Sequence, residues 1–352
     1  MTKLLLYLLC CTLILLAGAV LSLAAEAELL GAPPTLPARP AAIQPESDWD
    51  FYIYIPLVLR PAEPPAWIDT QNRLASLLFY QQEYLGSAMT DAGWTGDHTT
   101  CNPGETSPAF REALLRRINY FRSMAGIPLV NAFKIDYTTK AQAAALMMSV
   151  NRKLSHTPDS SWLCYSEAGR EGAGSSNLYL GVYGPQAISG YVNDPGTGNY
   201  FVGHRRWILY PQTQYMGTGD IPPTDGYPAA NALWVFDLEN MWGPRPATRE
   251  SYIAWPPPGY VPYQVVYPRW SFAVADANFD QASVSMSLNG QTLDVTRLTP
   301  VYGYGEATLV WEQTSFTTPT TDTAYQVMIS GVLLGEMLQN YTYTVIIFNP
   351  DQ

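Results

Sequence analysis

The sequence predicts an α+β chain in which a layered domain of helices around short strands precedes a small antiparallel β-sandwich. Two observations carry this. Between Ser107 and Phe236, segments with apolar residues at helical spacing are interleaved with short strand-like runs, the pattern of a layered domain. Beyond Asn240 the texture changes: the proline-rich WPPPGYVPY marks a boundary, and alternating segments separated by turns follow.

The elements justify themselves in order. Lys3 followed by the uncharged run 4–25 and a small-residue end reads as an export signal over 1–27, with Ala25-Glu26-Ala27 as the cleavage pattern. The run is also long enough to span a bilayer if it is not cut. Residues 28–66 are dense in Pro and Ala and read as a linker, broken only by the aromatic, β-branched run 51–59. After Asp69, NRLASLLFYQQEYL has helical spacing and a cap, which extends the layered domain to 67–240. Ser107-Pro108 opens a stronger helix with Phe110, Leu114, Ile118 and Phe121 on one face, stopped by Gly126 and Pro128. A second is expected over 139–153 on the small face Ala141, Ala144, Ala145 and Met148, and a third over 185–192, halted by Asn193-Asp194-Pro195-Gly196. EAGREGAGSSN, between Cys164 and Leu178, reads as a flexible stretch. In the sandwich, 252–352, strands are expected at 282–288, 308–311, 325–329 and 341–348, and Asn289-Gly290 reads as a hairpin turn.

Composition narrows the function classes. A net charge of −11 and a pI near 4.7, with no compensating basic cluster, repel polyanions and exclude nucleic acid as a partner. Once the leader is removed, Cys101 and Cys164 remain, and an oxidising compartment pairs them as a disulfide.

The chain holds three histidines, and two of them sit in its most distinctive segments: His156 in LSH, and His204 in VGHRRWIL. Imidazole is the side chain best suited near neutral pH to act as base, acid or metal ligand, so the pair is the candidate centre of any polar chemistry. A histidine beside apolar residues is more often a hydrogen-bonded structural residue, and spacing alone does not decide between the readings.

REALLRRINYFRSMAG, a helix ending in NRKLSH, then CY, SSNL, NDPGTGN and VGHRRWIL occur here in an order that resembles the CAP superfamily of cysteine-rich secretory, antigen 5 and pathogenesis-related-1 proteins. The chain looks closest to the bacterial SCP-like extracellular branch. The resemblance covers 107–237 and implies a three-layer α-β-α sandwich with a cleft in which two histidines and two acids face one another. His156 and His204 match the family histidines. Where many relatives have Gly-Glu-Asn-Leu this chain reads Ser175-Ser176-Asn177-Leu178, so Ser176 replaces an acid, and the second acid aligns with Asp194.

The candidate cleft is therefore His156, His204, Asp194, Ser176 and Asn177. His156 and His204 are the candidate ligands for zinc or another divalent metal, which would need further donors to complete its coordination. Asp194 is one such donor, and Glu167 or Glu171 would have to restore the lost carboxylate. A Ser176–His–Asp194 nucleophilic set lacks the nucleophile-elbow pattern. Arg205 and Arg206 read as structural, one pairing with a buried carboxylate and the other facing solvent. The sequence thus points to a secreted or cell-surface binding module for a lipid, peptide or envelope component. A metal-assisted extracellular peptidase or esterase is the alternative, and a structural surface adhesin the second.

Overall fold

The computed structural model describes residues 31–35, 67–224, 226–313 and 318–352; the leader 1–27, the run 51–59 and all of the linker except 31–35 lie outside them. Helix α1 (Arg73–Phe79) is capped by Asn72, whose side chain accepts from the Ala75 N–H, and runs on through a π turn at Tyr80–Tyr84. Helix α2 (Pro108–Met124) starts as predicted, with the Ser107 hydroxyl accepting from the Phe110 N–H. Phe110, Leu114, Ile118 and Phe121 are completely buried along its inner face.

Helix α3 (Ile135–Asn151) begins earlier than the predicted Thr139. Tertiary packing supplies the missing turn, because Tyr137 stacks on Trp234 at 4.7 Å and Asp136 lies where the helix dipole favours an acid. Helices α4 (Glu167–Gly174), α5 (Pro185–Asn193) and α6 (Gly203–Ile208) complete this region. The glycine-rich stretch expected to be flexible is thus helical in α4. The Ser166 hydroxyl caps it, and its glycines permit close packing: a Cβ at Gly172 would lie 2.1 Å from the Lys140 carbonyl oxygen in α3.

Strands β1 (Ala132–Phe133), β2 (Ser176–Leu180), β3 (Tyr215–Ile221) and β4 (Ala230–Trp234) form one sheet in the order β1-β3-β4-β2, which leaves β2 at an edge. On one face the sheet packs against α3, with Ala141, Ala144, Leu146 and Met148 against Leu178, Ala232 and Trp234. On the other lie α2, α5 and α6, contributing Phe121, Ile188, Tyr191 and Trp207 around Leu233. The layers are therefore α-β-α, as the resemblance implies.

The remaining strands are β5 (Ile253–Trp255), β6 (Gly259–Pro262), β7 (Arg269–Ala273), β8 (Ala277–Asn278), β9 (Ser283–Leu288), β10 (Gln291–Leu293), β11 (Thr296–Arg297), β12 (Thr308–Glu312), β13 (Thr323–Leu334) and β14 (Met337–Phe348). They make two sheets, β10-β9-β13-β14-β6 with β8 beside β13, and β11-β12-β7-β5. The pairing is antiparallel except that β14 runs parallel to β6. Asn289 and Gly290 both have positive φ, 51° and 78°, and turn β9 into β10 as their residue types predict. Trp255, Trp270, Trp311, Val327 and Val345 from the two sheets belong to the same buried cluster as the α2, α5 and α6 residues. The sandwich is thus continuous with the helical layer that carries His204.

Candidate functional site

His204 is built into the first turn of α6 and is completely buried. Asp194, which ends α5 in a left-handed conformation, holds it twice: Oδ2 accepts the His204 backbone N–H at 2.9 Å, and Oδ1 lies 2.7 Å from Nδ1. A carboxylate oxygen accepts, so the Nδ1–H donates to Asp194 and Nε2 is the ring nitrogen left over. Among the described residues, nothing hydrogen-bonds this Nε2. The Tyr191 ring lies 5.5 Å away, and its hydroxyl donates to the Asn231 side-chain oxygen at 2.8 Å. Asn231 donates in turn to Asp220, whose complete burial raises its carboxyl pKa although Gly184, Thr218 and Asn231 all donate to it.

His156 follows the end of α3 and is half-buried. Its Nδ1 lies 2.7 Å from the Ala173 carbonyl oxygen, and its Nε2 faces the Ala32 carbonyl oxygen. Burial pushes its pKa below the usual histidine value; nearby His204 lowers it further, against the two carbonyl contacts. The sequence-predicted pair therefore shares one region, with different duties: His204 is oriented by a carboxylate and His156 by backbone carbonyls.

Asn177 and Ser176 divide between the faces of β2. Asn177 Nδ2 donates to the His204 carbonyl at 3.1 Å, tying the strand to α6. Ser176 alternates with it and shares its face with Leu178, which packs toward α3. The Ser176 hydroxyl is buried and makes no hydrogen bond among the described residues. Glu167 and Glu171 are spent elsewhere, on Arg170 and on Lys140 at 2.8 Å. Neither restores the carboxylate that Ser176 replaces.

As arranged, these donors do not fit a divalent metal. Both oxygens of Asp194 serve His204 and both nitrogens of His156 face carbonyls, which leaves, among the described cleft residues, His204 Nε2 as the one bare imidazole or carboxylate donor beside the weak ligands Ser176 Oγ and Asn177 Oδ1, where tetrahedral zinc needs at least three from the protein. Among the described residues, no group of three or more His, Cys, Asp or Glu side chains is placed to hold an ion.

The two arginines after His204 correct the sequence reading, for neither faces solvent and, among the described residues, neither forms an ion pair with a carboxylate. Arg205 donates to the carbonyls of Val192 and Arg269 and to the Ser271 hydroxyl, at 2.6, 2.9 and 3.0 Å. Arg206 donates to the carbonyls of Val301 and Glu306 at 2.7 and 3.0 Å. Burial lowers the pKa of each to about 10. Arg269 of β7 returns the contact, donating to the Asp194 carbonyl at 2.8 Å. The sandwich thus braces both halves of the Asp194–His204 pair.

Sequence reasoning passed over two buried cationic or titratable residues. Arg122, in the REALLRRINYFRS motif, is completely buried and donates to the carbonyls of Pro128, Ile208, Tyr210 and Thr213 at 2.7 to 2.9 Å, closing the end of α6. Its type and helical spacing gave no sign of this, because the carbonyls come from remote loops. His98, the third histidine, lies flat on Tyr227 at 4.1 Å, and its Nε2 is 3.0 Å from the Ser149 hydroxyl. A cavity of about 630 Å³ between the loop 102–106 and α3 is lined by Glu105, Phe133 and Gln142 and by neither cleft histidine.

A pH dependence follows. Burial holds His98 and His156 below the usual histidine value, so as pH falls through that value the unfolded chain takes up protons that the folded chain resists. Their contribution to stability is therefore lost on acidification from pH 7.5 to 5. Asp220 and Glu306, raised by burial, act in the opposite sense. The histidine contribution is thus read by difference: Tm against pH should fall less steeply toward acid in His98→Asn and His156→Asn than in the wild type.

Residues 115–237 match the family model described as the cysteine-rich secretory protein family, CAP. No curated protein matches the chain.

Proposed function

With residues 115–237 belonging to the cysteine-rich secretory protein family, CAP, we propose that this chain is an exported binding module whose histidine cleft holds a ligand without turning it over. The observation that carries this reading is the setting of His156, whose ring lies between the Ala173 and Ala32 backbone carbonyls and as a neutral imidazole donates to one of them, the contact of a recognition residue. Ser176 in place of an acid, and the engagement of Glu167 and Glu171 elsewhere, support it further. The Cys101–Cys164 disulfide fits an extracellular setting. Among the described residues, no helix is long and apolar enough to cross a membrane. A peptide, lipid or cell-envelope component is the ligand class, reached at the surface where the chain is exported.

One feature favours the hydrolase alternative. Asp194 orients His204 through Nδ1 and leaves its Nε2, buried in this structure, without a hydrogen-bond partner among the described residues, the orientation in which a general base is held. The two readings separate in one assay: purified protein is incubated with peptide and ester substrates beside His204→Ala and Asp194→Asn. The binding reading expects no hydrolysis above that of the variants. Turnover in the wild type that drops at least about a hundredfold in both, the size general-base catalysis supplies, overturns it.

A further inference from the structure

Residues 31–35, Gly-Ala-Pro-Pro-Thr, lie far from the cleft in sequence yet run along it. The Gly31 N–H donates to the Leu178 carbonyl at 3.1 Å. Leu178 lies in β2, an edge strand, so the segment engages a backbone acceptor on the rim of the sheet. The next residue brings its Ala32 carbonyl to His156 Nε2. Pro33 is buried over Gly203, where a Cβ would lie 2.2 Å from the proline Cγ, so glycine at that position makes room for the ring. Pro34 is buried as well, and its carbonyl accepts from the fully buried Trp207 Nε1 at 2.7 Å.

These contacts have the logic of peptide recognition. Three go to the main chain of the segment, one to an N–H and two to carbonyls, and they fall on Gly31, Ala32 and Pro34. The two buried positions are prolines, which have no N–H to leave unpaired and whose fixed φ lowers the entropy lost on docking. His156, Gly203 and Trp207 belong to the LSH and VGHRRWIL segments themselves. The most distinctive residues of the domain are thus among the ones that hold this segment.

We propose that the histidine cleft is a groove for an extended peptide of small-residue–Pro–Pro type and that Gly31–Thr35 is its occupant in cis, which any free ligand of that chemistry must displace. The proposal rests on the binding reading above and names its ligand class and its regulation. Because the occupant is tethered, it competes at the millimolar effective concentration typical of intramolecular segments. Removing it should expose the groove without changing any groove residue.

The test uses the full-length chain and a fluorescein-labelled nine-residue peptide with the sequence of residues 29–37, read by fluorescence polarisation. Pro33→Asp/Pro34→Asp displaces the cis segment and is expected to bind the peptide at least about tenfold more tightly than the wild type. Unlabelled peptide should compete, and adding Gly203→Val to the displaced variant should abolish binding. Should Gly203→Val fail to fold, as its melting curve would reveal, Trp207→Phe in the same background removes only the Nε1 donor and should weaken binding about fivefold, the worth of one hydrogen bond. No binding to the displaced variant overturns the groove, and equal binding by wild type and displaced variant overturns the occupancy in cis. Mass spectrometry of the bound peptide keeps the two readings apart. A peptide that binds the displaced variant and is then cleaved sustains the groove while overturning the non-catalytic reading.

Discussion

Arg122→Met is expected to lower the stability of the folded chain by about 4 kcal/mol or more, the range reserved for breaking a buried polar network. Arg122 is completely buried, without a carboxylate partner among its hydrogen bonds, and its charge is met by the carbonyl dipoles of Pro128, Ile208, Tyr210 and Thr213 and by a longer contact to that of Pro211. Burial accordingly lowers its pKa to about 9. Methionine fills much of the volume but leaves the carbonyls of Pro128, Ile208, Tyr210 and Thr213 to seek water in a closed site. Three of these lie at or just beyond the end of α6, so its C-terminal turn, with Trp207 and His204 upstream, loses its anchor. Arg122→Lys should recover only part of the loss, because an ammonium cannot spread its donors as a guanidinium does. Urea unfolding midpoints check the ordering; Arg122→Met within about 0.5 kcal/mol of the wild type, the scale of ordinary surface changes, would sink the account.

Cys101→Ser/Cys164→Ser is expected to cost about 4 kcal/mol in the chain-entropy description of a disulfide. The bond links positions 63 apart in sequence and ties the loop 97–102 to the turn before α4. Asp97 organises that loop: the Thr99 hydroxyl and the backbone N–H groups of Thr99 and Thr100 donate to it and lower its carboxyl pKa to about 2. His98 follows, stacked on Tyr227. Loss of the crosslink should therefore loosen the seat of His98 first and lower the Tm of the whole chain. Wild-type protein under strong reductant should melt like the double variant, and a variant that melts with the oxidised wild type would remove the disulfide from the stability of this fold.

How much of this was legible in the sequence depends on the range of the interactions. The Ser107 cap, the Asn289-Gly290 turn, the apolar face of α2 and the stop that ends α5 are local patterns, and the structure carries them where the residues predict. The stretch EAGREGAG misled because its glycines read as looseness, whereas Gly172 is required by the close approach of the Lys140 backbone. The resemblance put Asp194 and His204 in one cleft, but not the two hydrogen bonds by which Asp194 holds His204, which depend on where α5 ends and α6 begins in space. The duties of Arg205 and Arg206 were not, because their acceptors, the carbonyls of Arg269, Val301 and Glu306, arrive from strands and loops far along the chain. Gly31–Thr35 was hidden for the same reason: a proline-rich linker and a docked peptide have one composition, and only the edge of β2 and the indole of Trp207 tell them apart.

The bracing of α6 by the sandwich sets a limit on dissection. A chain cut at Asn240 would keep all the residues by which the CAP segment is recognised, yet it would strand two buried guanidiniums and expose the aromatic side of the helical layer to water. The stretch recognised by its motifs and the stretch that satisfies its buried charges are then different lengths of the same polypeptide, and the second reaches at least to Glu306.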